Sequence, residues 1–266
     1  MEPLVTAAGL PNGYVEHAPP SDLATAVMCA WTRRVNSPVD VTLHRVLPDG
    51  CTDILFVFDR PGAGDRELTS ASVVGAMTRP IVVTGPHPWL YVGVRLAPGY
   101  ARAAFRMPAS ELTDQTVGYE LIERDALAHI DMLAAASDAD CVAAAFDIVR
   151  RRLARGIAVS RSLRAAIRRI VQADGDLKVA ALANEIGVTR QHLARQFAAH
   201  VGLTPKMFAR VMRTRAALGR VAAARTAHPR NVNWGAIAYD LGYYDQPHFI
   251  DDFKEITGQT PAEWLG

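Results

Sequence analysis

The pattern of hydrophobic and polar positions gives the first part of the chain a small sheet followed by helices. Between positions 41 and 96, short β-branched and aromatic runs are separated by Gly- and Pro-rich turns, which predicts about five strands: VTLHRVL, DILFVF, SVVGAM, IVVTG and WLYVGVRL. A three-to-four residue spacing then predicts helices over 100–107, 119–135 and 138–155. A further short helix, capped by Ser21, is expected over 21–34. Residues 1–156 are therefore expected to form an α+β domain, with a small sheet or barrel plus helices.

From Ser160 onward every segment has a helical pattern, broken by Gly and Pro. Helices are predicted over 161–173, 178–187, 189–200 and from 205 to about 224, with Ser160 and Thr189 as N-caps. Residues 160–266 are thus expected to form an all-α domain.

This helical part contains a repeat. LANEIG at 182–187 parallels IAYDLG at 237–242, and five positions recur 56 residues later: Phe197, Gly202, Thr204, Pro205 and Phe208 become Phe253, Gly258, Thr260, Pro261 and Trp264. Each copy predicts a short helix, a Gly-containing turn, a second helix and a capped start of the next, which is a helix-turn-helix.

The second helix of the first copy leaves Arg190, Gln191, Arg195 and Gln196 exposed, and such side chains can hydrogen-bond to base edges or phosphates. An ordinary helical hairpin with a solvated polar face would explain one such unit at least as well. The duplication within a basic region favours DNA binding.

Residues 160–266 resemble the two-motif DNA-binding domain of AraC/XylS-type transcription regulators, on the strings LANEIGVTRQHLARQFAAHVGLTP and IAYDLGYYDQPHFIDDFKEITGQTPAEW. The resemblance implies seven helices, with a long linker helix holding two recognition helices about one DNA turn apart. It also implies a bacterial regulator that binds promoter DNA. More weakly, LPDGCTDILF and VGVRLAPGYARAAFRMPASELTD resemble the N-terminal domain of a little-characterised group of such regulators, which implies a sensing or dimerisation domain.

The resemblance also suggests which side chains read bases. By position these are Gln191, Ala194 and Arg195 in the first recognition helix, and Gln246, His248 and Asp251 in the second. The full predicted DNA-binding set is Thr189, Arg190, Gln191, Ala194, Arg195, Gln196, Arg210, Arg213, Gln246, His248 and Asp251. The linker helix offers further cations that either contact phosphates or form a solvated face: Arg210, Arg213, Arg215, Arg220 and Arg225.

The charge distribution separates the two motifs. The net charge of +2 divides into −7 for residues 1–150 and +9 for 151–266, and the latter into +14 for 151–230 and −5 for 231–266. An acidic helix is repelled by phosphates, and Asp251 stands where the family usually has Arg. We therefore expect the first motif to supply most of the affinity, and the second to read DNA weakly or to serve another surface such as RNA polymerase.

For other groups of side chains, a structural role explains the sequence at least as well as a binding or catalytic role. Cys51 lies between His44 and His87 in sequence, but the spacing favours a small buried residue over a metal ligand or reactive thiol. Asp49 and Asp53 fit turn chemistry at least as well as a site, and Trp89, Tyr91, Phe56 and Phe58 fit a sheet core better than an apolar pocket. Helices over 119–155 could cover the sheet or form a dimer interface.

The sequence therefore predicts a DNA-binding transcription regulator that is not an enzyme and has no cofactor or metal. No motif of common hydrolases, nucleotide-binding proteins or zinc proteases occurs in it. The alternatives are a small-molecule-binding module with secondary DNA binding, and an enzyme of unknown type in residues 1–150. Double-stranded promoter DNA is the expected partner; RNA polymerase, an effector and a second copy are candidates. Without a signal-peptide pattern or a membrane-length apolar run, the protein is expected to be cytoplasmic, with no membrane partner.

Overall fold

The computed structural model describes residues 13–35, 44–59, 67–83, 90–121, 137–227 and 232–265. The N-terminal part is built on a six-stranded antiparallel sheet of order β1-β2-β7-β4-β5-β8, with a separate two-stranded sheet β3-β6. The strands are β1 (Tyr14–His17), β2 (Val27–Arg34), β3 (His44–Val46), β4 (Thr52–Asp59), β5 (Glu67–Val74), β6 (Ile81–Val83), β7 (Leu90–Leu96) and β8 (Thr116–Gly118).

One face of the large sheet forms the core of this domain. Along β4, Ile54, Phe56 and Phe58 are fully buried while the residues between them are less so, which is the alternation expected of a strand with one core-facing side. Two helices cover this face: α1 (Ala101–Phe105) and α2 (Asp138–Ala154). The part of 119–155 that the structure describes as a helix therefore covers the sheet, one of the two roles considered for it.

The helix expected over 21–34 is wrong. Residues 21–26 form turns and 27–34 form β2, which pairs with β1 on one side and β7 on the other. Val27, Trp31 and Thr32 are β-branched or aromatic, and the tertiary pairing uses that preference rather than the Ala-rich start of the segment. The predicted helix 119–135 begins as a short 3-10 turn over Tyr119–Leu121, and residues 122–135 lie outside the described residues.

The C-terminal part has the seven helices that the resemblance implied, counted over the described residues. They are α3 (Arg161–Gln172), α4 (Val179–Ile186), α5 (Arg190–His200), α6 (Pro205–Ala227), α7 (Trp234–Asp240), α8 (Gln246–Thr257) and α9 (Pro261–Leu265). The first helix-turn-helix is α4 with α5, the second is α7 with α8, and α6 links them. The fold is thus a sheet-rich N-terminal domain followed by a helical domain with two helix-turn-helix motifs.

The helix boundaries follow from local chemistry. The hydroxyls of Ser160 and Thr189 accept hydrogen bonds from the amides of Leu163 and His192, at 3.2 and 3.1 Å, so both predicted N-caps are confirmed. Gly187 ends α4 with a φ of 76°, a left-handed conformation that a side chain would strain. This sharp turn lets α5 cross α4.

Both motifs pack on the linker helix. Leu182, Leu193 and Phe197 join Phe208 of α6 in the core of the first motif. Phe249 and Phe253 join Val221 of α6 in the core of the second. Because each motif has its own core against the same helix, α6 fixes their relative placement. No helix among the described residues is long and apolar enough to cross a membrane.

Candidate DNA-binding surface

The first recognition helix, α5, presents a polar face to solvent. Leu193 and Phe197 bury its inner side, and four residues of the predicted set lie exposed on the other side: Arg190, Gln191, Ala194 and Arg195. Neither arginine has an ion pair with any described residue. Thr189 is exposed as well and caps the helix, while Gln196 is half-buried at the edge of this face. Two unpaired guanidinium groups and an amide are therefore available to base edges and phosphates.

The second recognition helix, α8, presents a different surface at the same place. Asp245 caps it, its carboxylate accepting from the His248 amide at 2.9 Å, and Gln246, His248 and Asp251 are exposed. The 56-residue repeat places Asp251 where the first motif has Arg195. The two equivalent helices thus differ in charge at this position, where α5 exposes a guanidinium group and α8 a carboxylate.

Arg210 and Arg213, predicted to bind DNA, have partners inside the protein. Arg210 pairs with Asp252 at 2.7 Å and with Glu255 at 2.5 Å, which raises its pKa and lowers the pKa of Glu255. Arg213 donates to the Gly175 carbonyl at 2.9 Å and lies over the Tyr243 ring. Both guanidinium groups therefore have partners within the protein, and contact of Arg210 and Arg213 with DNA stays a prediction.

The remaining linker-helix arginines do not form one cationic face either. Arg220 pairs with Asp174 at 3.2 Å. Burial lowers the pKa of Arg215, and the Asp49 carboxylate of the N-terminal domain opposes that shift. Arg225 is exposed. Burial of Arg215 fits neither phosphate contacts nor a solvated face, whereas phosphate contacts by Arg220, whose side chain is 35% exposed, and by Arg225 stay a prediction.

Helix α3 carries a row of three exposed cations that are outside the predicted set. Arg161, Arg164 and Arg168 follow one side of α3 and have no ion pair with any described residue. Their spacing of three and four residues is visible in the sequence, but α3 precedes the repeated unit that indicates DNA binding. They add three exposed cations to the two on α5.

A buried polar cluster surrounds Cys51. Arg95 forms a two-pronged pair with Asp53 at 3.1 Å and a second pair with Asp49 at 3.2 Å, and Asp49 also accepts from the Cys51 amide at 2.8 Å. Burial raises the pKa of the Cys51 thiol well above its usual value, which makes it a poor nucleophile. Asp49 therefore acts in a turn, as considered from the sequence, and also neutralises Arg95.

The strand aromatics divide between two faces of the sheet. Phe56 and Phe58 are core residues, as expected, whereas Tyr91 faces the other side with the Arg33 guanidinium 5.8 Å from its ring centre. Trp89, His87 and the side chain of His44 lie outside the described residues.

Two family comparisons match separate parts of the chain. Residues 182–266 match a family described as a helix-turn-helix domain, and residues 15–118 match a domain of unknown function, DUF6597. No curated protein matches the chain significantly.

Solved structures of ToxT from Vibrio cholerae are similar at low identity. An apo structure of a ToxT point variant from strain SCE256 is 13% identical, with 89% of this chain and 96% of that chain covered and a TM-score of 0.42. ToxT from strain O395 is 10% identical, with 96% and 98% covered and a TM-score of 0.43. A ToxT structure described as bound to unsaturated fatty acid is 11% identical, with 83% and 94% covered and a TM-score of 0.37. These values are too low to transfer a ligand to this chain.

The duplicated helix-turn-helix, its seven helices and the family match agree with one another over the C-terminal part. The chain therefore ends in an AraC-type helix-turn-helix domain and carries a DUF6597 domain before it.

Proposed function

We propose that this protein is a sequence-specific DNA-binding transcription regulator in which the first helix-turn-helix supplies most of the affinity. The observation that carries the proposal is the exposed face of α5, where Arg190 and Arg195 are unpaired among the described residues. Arg side chains on the first turns of a recognition helix can pair with guanine in the major groove and with phosphates beside it. The AraC-type domain supports this reading.

The second motif is expected to contribute less to DNA affinity than the first. Arg210 neutralises Asp252 and Glu255, and Glu263 caps α9 by accepting from the Thr260 amide at 2.7 Å. Asp251 stays exposed on the recognition helix itself and would repel phosphates. The exposed rings of Tyr239 and Tyr244 lie in the same motif. This surface suits a protein partner such as RNA polymerase at least as well as DNA.

We further propose that the boundary between an acidic sensing or dimerisation domain and the DNA-binding domain lies between Gly156 and Ser160. Helix α2 ends at Ala154, and Ser160 caps α3. Response to an effector and formation of a homodimer remain predictions for residues 1–156. They can be tested by the effect of candidate ligands on DNA affinity and by sedimentation of the full chain.

The proposed function is tested with the full-length protein on DNA selected from random-sequence duplexes. A regulator should enrich a defined sequence and bind it about 10³-fold or more tighter than unrelated DNA, with affinity falling steeply as salt increases. Enrichment of no sequence, with weak binding at every salt concentration, would favour the small-molecule-binding module. The full chain is used because Thr113 and Arg45 of the N-terminal domain donate to the Gly202 and Thr257 carbonyls, at the C-terminal ends of α5 and α8.

A further inference from the structure

The C-terminal end of the first recognition helix lies on the N-terminal domain. The Thr113 hydroxyl donates to the Gly202 carbonyl at 2.6 Å, just beyond the end of α5. A side chain at Gly202 would meet the Ala109 carbonyl oxygen at 2.9 Å, so the two backbones touch here. His200, the last residue of α5, is 3% exposed. The helix that carries Arg195 is thus held at its far end by another domain.

The N-terminal surface that holds α5 is firmly built. We call residues 109–114 with 76–78 the platform. The Asp114 carboxylate accepts from the Thr78 amide at 2.7 Å and from the Thr78 hydroxyl at 2.6 Å. The Asp114 amide donates to the Ala76 carbonyl at 3.1 Å. Ala76 belongs to the core of the first motif, so the platform is continuous with the packing under α5.

The platform is also continuous with the edge of the large sheet. Residues 76–78 follow β5, residues 109–114 precede β8, and these two strands pair through Ser72, Val73 and Val74. A change in the position of this sheet edge would therefore move the platform. Because α5 rests on it, such a change reaches the exposed arginines without passing through the linker helix.

We propose that the platform positions the first recognition helix for base reading, with Thr113 as its positioning residue, so that the N-terminal domain controls sequence discrimination through this contact. The proposal rests on the proposed function. Thr113 is not expected to contact DNA itself, because it acts through its hydrogen bond to the Gly202 carbonyl. A recognition helix must be held closely for guanidinium groups to meet base edges, whereas phosphate contacts tolerate small tilts. Loss of the contact should therefore reduce specific binding more than non-specific binding.

The test compares Thr113→Val with Thr69→Val in the full-length protein. Thr69 makes the same kind of bond, its hydroxyl donating to the Val57 carbonyl at 3.1 Å, but within the sheet. The affinity of each variant is measured on the selected duplex and on unrelated DNA. For Thr113→Val we expect the ratio of the two affinities to fall about three- to tenfold, the range that one lost hydrogen bond allows. Thr69→Val and Thr113→Ser should keep the ratio of the wild type.

Two results would overturn the inference while the proposed function stands. One is an unchanged ratio in Thr113→Val; the other is an equal fall in Thr113→Val and Thr69→Val, which would mark a general loss of stability. If Thr113→Val does not fold, Thr113→Ala replaces it, and retention of the wild-type ratio by Thr113→Ala overturns the inference equally. Absence of sequence discrimination in the wild type would overturn the proposed function itself.

Discussion

Residues at equivalent positions of the two repeat copies have different roles in the structure. Gln196 of α5 is half-buried at the edge of a solvent-facing surface, whereas its counterpart 56 residues later, Asp252, is 5% exposed and paired with Arg210. A carboxylate so deeply buried needs a cation, and the linker helix supplies it. The acidic character of the second motif is therefore partly internal, and an arginine that resembles a phosphate contact in sequence has a structural partner.

Replacing Arg210 with Met should show whether this residue stabilises the fold through Asp252 or contacts a DNA phosphate. Removal of the guanidinium leaves the buried Asp252 without its partner, and we expect the free energy of unfolding to fall by about 1–3 kcal/mol in urea denaturation. The slope of log affinity against log salt should stay unchanged, since a lost phosphate contact would reduce it by about one. Arg225→Met, at an exposed position of the same helix, should not change stability. A reduced salt slope with unchanged stability in Arg210→Met would instead assign Arg210 to DNA.

His200 should make the stability of the protein depend on pH. Burial, with the nearby Arg102 charge, lowers its pKa from the ordinary 6.5, so the folded protein holds this ring neutral. The unfolded chain binds the proton more readily, and the contribution of His200 is therefore present above pH 6.5 and is lost as the pH falls below that value. Unfolding in urea between pH 7.5 and 5.5 should show a smaller loss of stability in His200→Gln than in the wild type. Parallel pH profiles would contradict this.

At the scale of elements, the helical half was predictable from sequence because its signals are local. Ser160, Thr189 and Gly187 mark helix ends by their own chemistry, and the structure places those ends within one or two residues of the prediction. The strands of the sheet were harder to predict from the sequence. β2 lies between two partners that are distant or weakly patterned in sequence, and the 21–34 segment shows its strand character only through pairing with β7.

The candidate site likewise has a part that local sequence patterns predict and a part that depends on distant contacts. The exposed residues of α5 follow from helical periodicity, so Arg190, Gln191 and Arg195 were identified correctly as exposed. The partners of Arg210 and Arg213 are 42 and 38 residues away, and no local pattern reveals such contacts. The platform joins Thr113 to a carbonyl 89 residues later and was equally hidden.

Helix α8 should become a better phosphate binder when its charge is reversed. Asp251→Arg replaces an exposed carboxylate with a cation at the position of Arg195, and we expect tighter non-specific binding, with a salt slope steeper by about 0.9 if one phosphate is contacted. Asp240→Arg, also exposed but on α7, is the control and should change the slope less. Equal steepening in both variants would mean that charge alone matters and that α8 does not face the duplex.

At the scale of the whole molecule, net charge conceals the arrangement that matters. The chain has a net charge of only +2, but its helical part is cationic, and the arginines of that part fall into two groups. Those of α6 mostly hold elements together, through Asp252, Asp176, Asp174 and the region of Asp49. On α3 and α5, the exposed Arg161, Arg164, Arg168, Arg190 and Arg195 are free among the described residues. The surface expected to face DNA is therefore smaller than the charge count suggests, and its cations lie on α3 and on α5 of the first motif.

The N-terminal domain contacts the ends of both recognition helices. In addition to the platform under α5, Arg45 donates to the Thr257 carbonyl at the end of α8, at 3.1 Å. The loop that carries Gly50 packs against Phe208 of the linker helix. Residues of the sheet-rich domain therefore contact the C-terminal ends of α5 and α8 and the linker helix, and DNA recognition is expected to be a property of the full chain.

The central claim, that the first motif dominates DNA binding, is tested most directly by alanine substitution at the two equivalent positions of the repeat. The dissociation constants of full-length Arg195→Ala and Asp251→Ala are measured on the selected duplex at one salt concentration. Arg195→Ala should weaken specific binding by about 1–3 kcal/mol if it pairs with a guanine, whereas Asp251→Ala should leave binding unchanged or tighten it. Equal losses in the two variants, or no loss in Arg195→Ala, would contradict the account.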